Sequence, residues 1–105
     1  MKEITVQKLK EMLDKQNDIQ LIDVREGYEH EIADIGGDKI PMGTVPEHIA
    51  QINKDKPVVI YCRSGNRSGQ VCNFLEQGYG FTNLYNLKGG ILAWANEIDP
   101  SMDKY

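Results

Sequence analysis

Short apolar runs alternate with helical patterns along the 105 residues, and this alternation limits the possible folds more than any other feature. The clearest run is Val58–Tyr61, which follows Pro57 and has the length and composition of a buried strand. Gln20–Val24 and Asn83–Leu87 are two further strand candidates, and helical spacing returns between them. Strands that alternate with helices predict the α/β class, with a mainly parallel sheet and helices on both faces.

The remaining elements are predicted from caps, spacing and chain breakers. Ile4 is expected to begin an edge strand, and Lys39–Ile40 to form a brief strand ended by Pro41. Helices are predicted at 6–16, 45–53, 68–77 and 91–97, and a single helical turn at 28–32. In the helix at 68–77, Val71, Phe74 and Leu75 are expected to be buried and Gly78 to end the helix. We therefore expect one domain over residues 1–105, with a core of about 3–97 and a polar tail at 98–105.

Composition and charge argue against several classes of function. The net charge is −4 at pH 7, so nucleic acid is not an expected partner. No apolar run approaches the length of a membrane span, and the start of the chain, with Glu3, does not resemble a signal peptide. Two cysteines are too few for a disulfide-stapled scaffold, and the two histidines and two cysteines are not spaced as a zinc site. We expect a cytoplasmic protein with no membrane partner, no metal and no cofactor.

One loop concentrates residues suited to nucleophilic chemistry. The Val58–Tyr61 strand should deliver Cys62 to its carboxyl end, where sites form in parallel sheets. Backbone N–H groups of the loop can then converge on one centre, and the positive end of the following helix adds to their attraction for an anion. Two of the only three arginines in the chain lie here. The candidate anion-binding residues are Arg63, Ser64, Gly65, Asn66, Arg67 and Ser68.

Cys62 is the candidate catalytic nucleophile of this loop. A helix N-terminus and nearby arginines lower a thiol pKa from its ordinary value of about 8.5, so Cys62 is expected to be largely thiolate at neutral pH. The alternative is a small buried residue that merely ends a strand. The arginines and small polar residues that follow Cys62 favour the nucleophile. Cys72, inside the next helix, is expected to pack in the core rather than to resolve an oxidised Cys62.

Four segments together resemble the rhodanese-like sulfurtransferases. They are Leu21–Glu26, Ile40–Pro41, Val58–Ser68 and Leu87–Trp94, which follow the order of that family over about residues 3–97. The resemblance implies a three-layer fold around a parallel five-stranded sheet. It also implies that Cys62 carries sulfane sulfur as a persulfide, received from thiosulfate or a persulfide donor and passed to a thiophilic acceptor.

The sequence also suggests roles for residues outside the loop. Asp23 and Arg25 are expected to form a structural pair that supports the site, in line with the use of this motif as scaffold in the family. Asp34 stands where the family usually has a histidine, which concerns the rim of the pocket. His30 and His48 are expected at the surface.

Loop length helps to separate the possible functions. The spacing of Cys62 and Arg67 resembles that of sulfurtransferases, whereas related phosphatases have one more residue in the loop. A protein-to-protein persulfide carrier, with a donor or thiol acceptor protein as partner, is left open beside the small-molecule enzyme. A phosphatase or arsenate-reductase-like enzyme and a non-catalytic interaction module are the less favoured alternatives.

Overall fold

Five strands form a single parallel sheet in the computed structural model, which describes residues 1–105. They are β1 (Lys2–Ile4), β2 (Gln20–Asp23), β3 (Asp38–Lys39), β4 (Val58–Tyr61) and β5 (Leu84–Leu87). Their order across the sheet is β1-β5-β4-β2-β3, and every neighbouring pair is parallel. The predicted five-stranded α/β sheet is confirmed, and its centre is β4, which lies between β2 and β5.

Helices cover both faces of this sheet. The α-helices are α1 (Val6–Asp14), α2 (Gly27–Ile32), α3 (Asn66–Tyr79) and α4 (Gly90–Glu97). On one face, Val58 and Ile60 pack in a core cluster with residues of α3. On the other face, Val59 and Tyr61 pack in a second cluster with residues of α1 and α4. Because β4 is completely buried on both faces, its carboxyl end is held rigidly where Cys62 follows. None of the helices is long and apolar enough to cross a membrane.

The helix predicted at 45–53 is wrong. Two short 3₁₀ helices, Met42–Glu47 and Ile49–Gln51, take its place and are separated at His48. The backbone of His48 (φ −126°, ψ 20°) lies outside the helical region, so the two turns do not join into one α-helix.

The bounds of α3 also differ from the prediction. The helix begins at Asn66 and runs past Gly78 to Tyr79, and Gly80 ends it in the left-handed region. Val71 and Leu75 are buried as predicted, but Phe74 is 43% exposed. Its ring packs against that of Tyr79 in a tilted arrangement, with the ring centres 5.5 Å apart. The spacing of Phe74 predicted burial because it lies near the apolar stripe, but the 3₁₀ helix Met42–Glu47 covers this side of α3 only in part.

The residues after α4 fold back over the molecule. Their sequence predicts a polar tail, but Ile98, Met102 and Tyr105 all pack against the second core cluster. Tyr105 is thereby placed beside the loop that follows β4, where it contacts Arg63.

Candidate active site

The sulfur of Cys62 lies at the centre of the loop between β4 and α3. The Gly65 N–H donates a hydrogen bond to Sγ at 3.1 Å, and the Ser68 N–H donates one at 3.4 Å. The Ser68 hydroxyl lies 3.3 Å from the same sulfur. Three donors therefore converge on one buried atom, which is the arrangement that stabilises a negatively charged sulfur.

The N-terminus of α4 holds the opposite side of this loop. Backbone N–H groups of Ile91 and Leu92 donate to the carbonyl oxygens of Cys62 and Arg63 at 3.0 and 3.1 Å. Any side chain at Gly90 would collide with these two carbonyls, and the backbone of Gly90 has a φ of +60°. With its carbonyl groups engaged by α4, the loop is free to present N–H groups to the sulfur.

The environment of Cys62 favours the thiolate. Burial alone would raise the pKa of the thiol, but the Ser68 hydroxyl and the N–H groups of Ser68, Gly65 and Ser64 together hold it below its ordinary value. Cys72 differs sharply, because burial raises its pKa to about 12. Both cysteines are free, and Cys72 lies within the core cluster, as its helical position predicts. Of the two thiols, only Cys62 has the surroundings of a nucleophile.

Asn86 on β5 ties the loop to the sheet. Its Nδ2 donates to the Gly65 carbonyl at 2.9 Å, and its Oδ1 lies 2.5 Å from the Ser68 hydroxyl oxygen. The single hydroxyl proton of Ser68 is therefore shared between Asn86 and the Cys62 sulfur. Asn86 is 3% exposed, so these bonds satisfy its amide inside the protein. The sequence analysis missed this residue, although a polar side chain in the middle of an apolar strand was the available signal.

The two arginines of the loop have different surroundings. Arg67 directs both terminal nitrogens at the Glu29 carboxylate, at 2.8 and 2.9 Å. Arg63 is exposed, and its terminal nitrogens make no hydrogen bond within the protein. The loop thus combines one paired cation with one whose donors are available to a ligand.

Glu29 was also missed from the sequence, although it is buried next to the loop. Its carboxylate accepts from Arg67, from the Tyr105 hydroxyl at 2.7 Å and from the Glu26 N–H at 3.1 Å. These contacts, with Arg67 foremost, lower the pKa of Glu29 to about 2 in spite of burial. Glu29 is also part of the capping box of α2, and an acidic residue in the first turn of a helix carries no sequence signal of burial.

Asp23 and Arg25 form a completely buried pair. The Arg25 Nε and Nη2 donate to the two Asp23 oxygens at 3.0 and 2.8 Å, and Nη2 also donates to the Ala33 carbonyl at 2.8 Å. Burial disfavours the Asp23 carboxylate, but the bonds from Arg25 outweigh it and lower the Asp23 pKa. The pair therefore holds α2 against the end of β2. From this position of α2, Glu29 reaches Arg67.

Asp34, His30 and His48 are the remaining residues for which the sequence led to an expectation. Asp34, at the rim, accepts from Lys39 at 2.5 Å, and its carboxylate faces that lysine rather than Cys62. His30 was expected at the surface, and this is wrong: its side chain is 17% exposed, with Nε2 3.3 Å from Asp23. His48 is also only partly exposed, and its Nδ1 lies 2.8 Å from the Thr44 carbonyl.

No group of three or more His, Cys, Asp or Glu side chains is placed to hold a metal ion.

Comparison with known proteins places these features in context. The family model for the Rhodanese-like domain matches residues 5–97. A protein of Allochromatium vinosum named as a sulfurtransferase is 43% identical over 95 residues, which cover 89% of this chain and 87% of that protein. YtwF of Bacillus subtilis, a candidate sulfurtransferase by its name, is 40% identical, with 95% and 96% covered.

A solved structure agrees with the sequence comparison. A rhodanese-like domain protein from Staphylococcus aureus superimposes with a TM-score of 0.82 at 31% identity, covering 100% of this chain and 99% of that one. The chain also matches part of a longer Arabidopsis thaliana protein named for rhodanese-like and PpiC domains, of which it spans 31%.

Proposed function

The chain belongs to the rhodanese-like domain family and is a rhodanese-type sulfurtransferase, and from that premise we propose that it transfers sulfur through a persulfide on Cys62. The observation that carries this proposal is the convergence of the Gly65 N–H, the Ser68 N–H and the Ser68 hydroxyl on the Cys62 sulfur. The donor is thiosulfate or a small persulfide, and the acceptor is a thiophile such as cyanide or a thiol. Two free cysteines suit a reducing compartment, so we place the reaction in the cytoplasm.

The reaction with thiosulfate proceeds in two displacement steps. The Cys62 thiolate attacks the outer sulfur, a sulfur–sulfur bond forms, and sulfite leaves with the electron pair of the broken bond. The persulfide then rests against the N–H groups of the loop. In the second step cyanide attacks the terminal sulfur, thiocyanate leaves, and the electron pair of the broken bond returns to Cys62 as thiolate. No oxidant or reductant is consumed, and the kinetics are of the ping-pong type.

The loop supplies the charge that a dianionic donor requires. The protein carries a net charge of −4, so attraction must come from local groups. Arg63, Arg67 and the N-terminus of α3 provide positive potential at the sulfur, and the small residues Ser64 and Gly65 let the backbone approach the donor. Asn66 opens α3, and Ser68 adds its hydroxyl at the sulfur.

Sulfur loading tests this proposal directly. Incubation with thiosulfate, followed by removal of excess donor, is expected to leave an adduct heavier by one sulfur atom on Cys62. Cyanide should discharge it. The loaded protein should also unfold at a higher temperature, because the N–H groups of the loop contact the covalently attached sulfur only in the folded state. Mass spectrometry of the intact protein and of the Cys62 peptide gives the measurement.

The alternatives predict different outcomes of the same experiment. A protein-to-protein carrier would load from a protein persulfide but not from thiosulfate, which would overturn the small-molecule donor alone. A phosphatase would release phosphate from an aryl phosphate and form no adduct. Absence of an adduct with both kinds of sulfur donor would contradict the persulfide on Cys62.

The two loop arginines are expected to contribute unequally to the use of thiosulfate. Arg63→Ala removes one charge-assisted contact and should raise the KM for thiosulfate about tenfold with little change in kcat. Arg67→Ala should have a larger effect, because it also leaves the buried Glu29 carboxylate unpaired near the site. Steady-state kinetics measure both, and Arg67→Ala with Glu29→Gln should recover part of the loss. Unchanged KM values in both single variants would mean that neither side chain serves the donor.

A further inference from the structure

Tyr105 contacts the active-site loop although it lies outside the residues that match the family model. Its main-chain oxygen accepts a hydrogen bond from Arg63 Nε, and its ring centre lies 5.2 Å from the Arg63 guanidinium carbon. We propose that Tyr105 is a positioning residue that holds Arg63 ready to bind the anionic group of the sulfur donor. The inference deepens the proposed function and rests on it for the identity of the anion.

The contacts of Tyr105 with Arg63 leave the two terminal nitrogens of the guanidinium group available to a ligand. Tyr105 occupies Nε and one face of the planar group, while the two terminal nitrogens make no hydrogen bond within the protein. An exposed arginine without such contacts samples many rotamers and loses that freedom when it binds a ligand. Arg63 has already lost part of it, so an anion meets a cation that is preorganised.

Tyr105 is itself anchored to the buried part of the site. Its hydroxyl accepts from Arg25 Nη1 at 2.9 Å and donates to the Glu29 carboxylate at 2.7 Å. Both partners are buried, so the position of the ring is set by a rigid framework. Burial raises the pKa of Tyr105, so its hydroxyl stays protonated and can donate to the Glu29 carboxylate.

Alkylation of Cys62 by two reagents of similar size tests the proposal without any sulfur transfer. Iodoacetate is an anion and iodoacetamide is neutral. The rate constant for iodoacetate divided by that for iodoacetamide therefore reports the positive potential at the Cys62 sulfur. Tyr105→Ala removes the ring at Arg63 and the anchoring hydroxyl, and is expected to lower this ratio about threefold, the size of one exposed cation–π contact. Arg63→Ala should lower the ratio at least as far. Tyr105→Phe keeps the ring at Arg63 but loses the hydroxyl anchor, and it should lower the ratio less than Tyr105→Ala does.

Further variants separate positioning from a general loss of structure. Tyr28→Ala removes an exposed tyrosine from α2 and should leave the ratio unchanged. In an Arg63→Ala background, Tyr105→Ala should have no further effect, because its partner is already absent. The proposal is overturned if Tyr105→Ala leaves the ratio unchanged, if its effect persists without Arg63, or if Tyr105→Phe loses as much as Tyr105→Ala. Failure of sulfur loading with the expected ratios would instead count against the proposed function alone.

Discussion

Replacement of Cys62 by serine is expected to abolish sulfur transfer, with a loss of roughly a thousandfold or more in rate, as when other enzymes lose their nucleophile. The loop lowers the pKa of a thiol, but a serine hydroxyl remains protonated there and is a poor nucleophile toward sulfur. The donors at Gly65 and Ser68 remain in place, so the variant should fold normally. Thiocyanate formation from thiosulfate and cyanide measures the loss.

Cys72→Ser provides the matched control for this experiment. Cys72 is a buried thiol whose pKa is raised to about 12, and it is expected to take no part in the chemistry. Most of the activity should survive at a temperature where the variant is folded, since the substitution places a hydroxyl in the core and costs stability. Equal losses in the two variants would point to a mechanism that needs both cysteines.

Removal of the Glu29 carboxylate is expected to destabilise the protein by about 2 kcal/mol at pH 7, between the values for exposed and buried ion pairs, because Glu29 is buried and Arg67 is 34% exposed. Glu29→Ala leaves Arg67 without its partner and leaves the Tyr105 hydroxyl without its acceptor. Denaturant unfolding of wild type and variant gives the difference. Glu31→Ala removes an exposed carboxylate from the same helix, α2, and should change stability by less than about 0.5 kcal/mol.

The same carboxylate should make stability depend on pH in acid. The pKa of Glu29 is about 2 in the folded protein, against an ordinary value of 4.5. The unfolded chain therefore binds a proton more readily than the folded protein between these values. The contribution of Glu29 is complete above pH 4.5 and is lost as the pH falls toward 2. Glu29→Gln should flatten this part of the stability curve, and a curve that keeps the wild-type slope would contradict the assignment.

Local sequence patterns were sufficient to predict the central strands and the loop. Val58–Tyr61 is a short β-rich run after a proline, and Gly65 follows a cysteine at the point where the chain must turn into a helix. These signals act over a few residues, so they do not depend on how distant parts of the chain meet. The helix predicted over 45–53 was wrong because the backbone leaves the helical region at His48, a break that no proline or glycine marks in the sequence.

The supporting residues of the site could not be found in this way. Glu29 meets Arg67, Asn86 meets Ser68 and Tyr105 meets Arg63, in each case across a long stretch of sequence. Which partner each one finds depends on the order and register of the strands, which a single sequence does not contain. Polar residues outside the apolar strands, such as Glu29 and Tyr105, look the same in sequence as residues that face water.

The position of β1 at the edge of the sheet, beside β5, bears on how the molecule acquires its shape. Lys2 lies beside Tyr85 and Ile4 beside Leu87, so β1 has no neighbour in the sheet until residues 84–87 are available. During synthesis on the ribosome, β2, β3 and β4 can pair first. The closing of β1 onto β5 must overcome the entropy of a loop that contains most of the chain, and such distant contacts slow folding. Until β5 is in place, Asn86 cannot hold the Gly65 carbonyl, so the sulfur-binding loop is among the last parts to become ordered.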